Sequence, residues 1–194
     1  MANVFKIAFP IALVLITACH SAPINYHTLM PLLPSDSADR PQSQIVIETI
    51  SVPPQVDRSQ LVIRQGPSNL LILENERWGA SLEEELKSAL ADQLSRSTFD
   101  RGRSVRVEVQ RFDSIPGQYA RIDVLWHLRY IEKGGNSVIK TCRAGLQSPS
   151  GNTVDAVVAA HQLNIERLGA AIVQHANNLN GACVTSGIAP DPVS

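Results

Sequence analysis

The chain has 194 residues, 17 Lys and Arg against 18 Asp and Glu, a net charge of −1 and 44% hydrophobic content. That balance leaves no cationic excess to bind nucleic acid. The length suits one ordinary globular domain once an apolar N-terminal segment is set aside.

That segment runs from Ile7 to Leu15 behind a weak positive region, Lys6 and the amino terminus, and it contains Pro10. It is shorter than the roughly 20 residues a helix needs to cross a bilayer core, so it reads as a signal peptide and not a permanent span. It closes on Ile16-Thr17-Ala18-Cys19, which resembles the lipobox of bacterial lipoprotein precursors. The resemblance implies that residues 1–18 are removed and that Cys19 becomes a lipidated amino terminus. At about 0.8 kcal/mol per buried methylene, two or three acyl chains make attachment effectively permanent. His20, not Asp, follows the cysteine, and the same resemblance then implies an outer-membrane, periplasm-facing location. Cys142 and Cys183 are left as an even pair in an oxidising compartment. A disulfide and two separately buried thiols both stay open.

Residues 19–44 read as a lipidated tether, because Pro23, Pro31, Pro34 and Pro41 alternate with short polar side chains that bury too little apolar surface to fold. Tyr26-His27-Thr28-Leu29 is an order-prone island within it, either a docking point or an exposed turn. The folded domain is expected over residues 45–182. It starts with the β-branched run Ile45 to Ile50, which must end or lie at an edge where Pro53-Pro54 removes two ladder donors. Leu61 to Arg64 and Leu70 to Leu73, separated by Gly66-Pro67-Ser68-Asn69, predict a hairpin.

The block Asp57-Arg58-Ser59-Gln60-Leu61-Val62-Ile63-Arg64, followed by Glu76-Arg77-Trp78-Gly79 and preceded by Tyr26 to Leu29, is similar to the auxiliary lipoproteins of ABC-type transport systems, the paraquat-inducible protein C-like family. The motifs fall in that family's order; His27 and Gly79 depart from its usual aromatic and Ala. The resemblance implies a small periplasmic α/β domain that serves a transporter without hydrolysing ATP.

Ser81 and Glu84 have capping-box spacing, and Leu82, Leu86, Leu90 and Leu94 then repeat every four residues, predicting an amphipathic helix with Glu83, Glu84, Lys87 and Asp92 facing water. Trp78, just before it, reads as a core anchor or a ligand-stacking ring. Val105, Val107 and Val109 alternate with polar residues, and Phe112 breaks the parity, so a bulge is expected between Gln110 and Asp113. Pro116-Gly117 turns into a strand with Ile122, Val124, Trp126, Leu128 and Tyr130 on one face and Arg121, Asp123, His127 and Arg129 on the other. The turn at Lys133 to Asn136 leads to a third strand from Val138 to Ala144. Helical spacing then holds from Val154 to Leu179, with Asn152 and Asp155 as the expected cap pair and His161 on the apolar stripe. Residues 183–194 read as a disordered tail.

The expected fold is α+β, an antiparallel β-sheet with two amphipathic helices packed on one face of a single domain. The sequence has no nucleophile elbow, phosphate loop, His-Glu-x-x-His or paired-cysteine metal knuckle, so no catalytic residue, metal or cofactor is expected. The resemblance implies an outer-membrane-anchored accessory of an ABC/MCE-type lipid transport system. Its partner would be the MCE-type membrane protein, and Arg58, Arg64, Arg77 and Trp78 are the candidate docking residues. A symmetric partner would favour a homo-oligomer. The alternatives are an assembly lipoprotein of another envelope complex and a small periplasmic hydrolase.

Overall fold

Three strands of alternating side chains carry the body of the molecule. In β5 (Ser104–Ile115), β6 (Tyr119–Ile131) and β7 (Ser137–Pro149), Val105, Val107, Ile122, Val124, Trp126, Leu128, Ala144 and Leu146 are all buried. Their polar neighbours point the other way, as a half-buried pleat requires. The computed structural model describes residues 22–32, 45–97, 102–132, 134–179, 181 and 183. The expected signal peptide at 1–18, Cys19, residues 33–44 of the expected tether and the tail beyond Cys183 lie outside the described residues.

Ahead of this meander come β1 (Asn25–His27), β2 (Val46–Ser51), β3 (Gln60–Arg64), β4 (Leu70–Trp78) and α1 (Leu82–Ser95); α2 (Val154–Asn177) follows it. The strands form two sheets, β2-β5-β6-β7 and β1-β4-β3. The α+β class holds and most pairings are antiparallel, but the single antiparallel sheet expected from sequence is two, each with a parallel edge strand. β2 pairs parallel with β5, and β1 with β4. Parallel partners lie far apart in the chain, and alternation within a strand carries no information about which distant strand it meets.

The register shift in β5–β6 falls between Val109 and Arg111, within the stretch where Phe112 breaks the alternation. The extra residue restores parity, so Phe112 and Ser114 face α2 with the valines before them. At the β5–β6 turn Gly117 has φ 77°, and a Cβ there would lie 2.2 Å from Asn152 Oδ1.

The α1 capping box forms as its spacing predicts, with the Ser81 side chain accepting from the Glu84 amide. Leu82, Leu86, Ala89, Leu90 and Leu94 face inward. Asp92, expected to face water, is buried and is bound by Arg96 one turn later at 2.7 Å. The α2 cap also differs from expectation: Thr153, not the Asn152 and Asp155 pair, accepts from the Ala156 amide. Both helices lie on one face of the four-stranded sheet, and they touch each other where Gly169 meets Gln93.

A Cβ at Gly169 would sit 2.7 Å from Gln93 Cβ, an atom that cannot swing away. Gly169→Leu should therefore separate the helices and cost about 1–3 kcal/mol despite leucine's better helix propensity. The urea midpoint reads this directly, and an unshifted midpoint would show that the helices do not approach so closely.

Candidate functional site

Asn25, His27, Thr28 and Leu29, at the start of the expected tether, are built into the folded body. β1 pairs Asn25 with Glu76, Tyr26 with Arg77 and His27 with Trp78. Asn25 Nδ2 donates to Glu76 at 2.9 Å, and His27 Nε2 meets the other oxygen of the same carboxylate at 2.6 Å. The opposite ring nitrogen of His27 lies 3.3 Å from Asp155 at the start of α2. The hydrogen bond with His27, then that from Asn25, holds the Glu76 carboxyl below its usual range.

The next residues turn onto α1. Glu85 Oε2, 7% exposed, accepts from the Thr28 hydroxyl at 2.8 Å and from the Leu29 amide at 2.9 Å, and Leu29 itself is fully buried. Gln162 of α2 donates to the Thr28 carbonyl. The Gly79 amide donates to the His27 carbonyl at 2.9 Å, and a Cβ at Gly79 would stand 3.0 Å from Glu85. One short segment is thus held by β4, α1 and α2 together.

The candidate docking residues divide sharply. Trp78 is 3% exposed and packs edge-on to Phe112, with centroids 6.4 Å apart, so it is a core anchor and no longer offers a ligand-stacking face. Arg77 is half-buried, opposite Tyr26, and donates to the Glu74 carbonyl. Arg58 is half-buried, with an Nε that has no hydrogen-bond partner among the described residues. Arg64 donates to Asp113, itself 3% exposed, at 2.8 Å, and Arg111 donates to the other carboxylate oxygen.

Two guanidiniums on one buried carboxylate leave an excess positive charge at the mouth of a groove of about 800 Å³, walled by Ile63, Leu71, Ile115 and Tyr119. Beside it, Leu71 and Ile72 are 39% and 38% exposed. Because β1 covers only the Glu76–Trp78 end of β4, the side of β4 away from β3 at Leu70 to Glu74 has no strand partner among the described residues. Neither Arg111 nor Asp113 was singled out from the sequence. Their only signal was the bulge, which aims both at β3.

The outer face of the large sheet carries paired charges. Arg121 binds Asp123 at 3.0 Å, and Glu48 takes Arg129 and Ser104. The Ser104 hydroxyl, with help from the Arg129 and Arg106 charges, holds Glu48 below the usual carboxylate range.

Ser114 Oγ and His161 Nε2 are 2.9 Å apart, the spacing of a nucleophile and its base. Both are sealed in the core at 2% and 0% exposure, and His161 Nδ1 has no hydrogen-bond partner among the described residues. The imidazole stacks on Phe112 at 3.9 Å and 7°. A substrate has no path to this pair as it stands, and it serves as a polar joint in the core.

Cys142 and Cys183 are joined by a disulfide with Cα atoms 5.5 Å apart. α2 stops at Asn177, capped by Asn178, and so does not carry the chain past Cys142.

The family model for the ABC-type transport auxiliary lipoprotein component matches residues 27–173. The chain belongs to this family. Its fold is similar to that of an uncharacterized protein of known crystal structure, at TM-score 0.59 and 17% identity over 79% of this chain and 99% of that one. It is likewise similar to a Xanthomonas campestris protein, at TM-score 0.53 and 16% identity over 79% and 95% of the two chains. None of the proteins of curated function matches it.

Glu85→Ala strands the buried Leu29 amide without an acceptor and should loosen the N-terminal segment by about 1–3 kcal/mol. Amide exchange at Leu29 should rise accordingly while the α2 core keeps its protection; equal loss in both would mean that the segment is not separately held.

Burial pushes the His161 imidazole down to about 3, against a smaller upward pull from Asp113. Between its ordinary value of 6.5 and about 3 the unfolded chain therefore binds a proton that the folded chain refuses. The stability contributed by neutral His161 is complete above the upper value and is lost as pH falls. Urea titrations should show wild type losing roughly 3 kcal/mol more between pH 7 and pH 4 than His161→Phe, at about 1.4 kcal/mol per pH unit. Parallel losses would remove His161 as the source.

Proposed function

As a member of the ABC-type transport auxiliary lipoprotein family, this chain, we propose, is a non-catalytic accessory of an MCE-type lipid transport system. It is anchored through lipid on Cys19 to the periplasmic face of the outer membrane and docks as a homo-oligomer on the membrane protein of that system. The observation that carries this reading is the clamping of Asn25 to Leu29 onto β4, α1 and α2. Only five residues lie between Cys19 and Asn25, and an extended chain of that length spans at most about 20 Å. A lipidated Cys19 would therefore hold the folded body against the membrane. Confinement of that kind raises effective concentration, so weak contacts suffice for docking.

Among the described residues no helix is long and apolar enough to cross a membrane. The docking surface we favour is the groove at Arg64 and Arg111 with the unpaired side of β4 beside it. An extended partner segment could add to that edge through backbone hydrogen bonds while Leu71 and Ile72 grip its side chains. Arg77 and Trp78 already serve the chain's own β1, which moves the surface away from them.

Leu71→Glu combined with Ile72→Glu alters half-exposed side chains and should leave the fold intact by circular dichroism. Co-purification of the MCE-type protein with the full-length lipoprotein should fall at least about tenfold, the effect of about 1.4 kcal/mol lost at an interface. Wild-type recovery by a folded double variant would place docking elsewhere. If wild type itself recovers no such protein, the transport reading gives way to an assembly lipoprotein of another complex.

A further inference from the structure

A second cluster lies at the far end of α2, away from the groove and from β1. The donor atoms of Cys142, His175 and Cys183 all fall within 4.8 Å of one another. His175 is 3% exposed, and neither of its ring nitrogens has a hydrogen-bond partner among the described residues. Buried polar atoms are nearly always satisfied, so an imidazole with both nitrogens bare asks for a ligand. Burial, with the Lys140 charge adding to it, pushes this imidazole below its ordinary range. Neutral imidazole is the form that binds metals.

We propose that Cys142, Cys183 and His175 form a redox-gated site for a soft d10 cation, Zn²⁺ or Cu⁺, closed while the disulfide stands and open once it is reduced. Reduction by a dithiol transfers two electrons and two protons to the cysteine sulfurs, and the dithiol leaves as its own disulfide. Binding of the cation then releases the thiol protons and leaves two thiolates and one imidazole around the metal. Metal–sulfur bonds of about 2.3 Å at tetrahedral angles place the sulfurs about 3.8 Å apart. The two sulfurs and a His175 ring nitrogen lie within 4.8 Å of one another, and the cysteine Cα atoms are 5.5 Å apart, so once the S–S bond is cut, rotation about the side-chain bonds can open the sulfurs to that spacing. Two thiolates select a thiophilic metal over Mg²⁺ or Ca²⁺. Cys142 is 2% exposed whereas Cys183 is only half-buried, so the reductant, the metal and a fourth water ligand share one open side.

The test uses the full chain purified in detergent, reduced, freed of reductant without air, and titrated with Zn²⁺ against a chromophoric chelator. Any contribution from Cys19 is the same in wild type and in His175→Phe, so the difference between them reports the site. Reduced wild type should take up one Zn²⁺ per chain at this site, with two sulfurs and one nitrogen in its X-ray absorption spectrum. Loss of His175 should weaken binding at least about tenfold, the scale seen when even outer-shell partners of a metal are removed. Equal affinity in His175→Phe, equal affinity in the oxidised protein, or absence of the nitrogen ligand would each overturn the proposal. So would collapse of the fold on reduction, judged by circular dichroism, since the site would then not exist in a folded chain.

Discussion

Phe112 joins three elements of this molecule. Its ring meets Trp78 edge to face and stacks on His161, which brings the end of β4, the later part of β5 and the first half of α2 together. It can do so only because the β5 bulge inserts one residue after Val109 and restores the inward parity. Without that residue Phe112 would turn to the outer face, as any one-residue slip in a strand demands. The small sheet would then lose this aromatic contact with the large one. The same bulge sends Asp113 outward between Arg64 and Arg111, so the core joint and the charged groove are two faces of one local irregularity.

The second organising constraint is the pairing of two segments about fifty residues apart. Tyr26 to Leu29 and Arg77-Trp78 are separate stretches of the sequence, and in the fold they meet as one parallel ladder with its flanking turn. Glu76 and Glu85 are the receiving groups, each bound twice by the incoming segment. Carboxylates held by several donors are strong, directional contacts, and here they fix where the chain leaves the body. In a lipoprotein that exit decides how the domain stands on its membrane.

Polar groups are also used inside the helix-sheet interface. Ser114 with His161, and Ser148 with Asn164, bond across it, and Asn164 reaches the Ala120 carbonyl as well. Such bonds contribute little net energy but penalise any shift of α2 along the sheet, because a slipped helix would leave buried groups bare. The disulfide and His175 sit at the opposite end of the same helix.

The sequence by itself determined the elements whose signals are local. The α1 capping box, the stripes of both helices, the β5–β6–β7 meander, the site of the bulge, the α+β class and the family were all legible, since each rests on spacing within a few residues or on a motif. Tertiary structure alone decided what joins distant segments. It split the strands into two sheets, laid β1 and β2 parallel to their partners, and moved Thr153 into the cap expected from Asn152 and Asp155. It also buried Asp92, set Arg64 and Arg111 on Asp113, and brought Cys183 back to Cys142 beside His175. The reason is physical: periodicity records which face of an element is apolar, whereas partner choice between remote strands and charges depends on shape and desolvation across the whole core. Neither of these is written in any one stretch of chain.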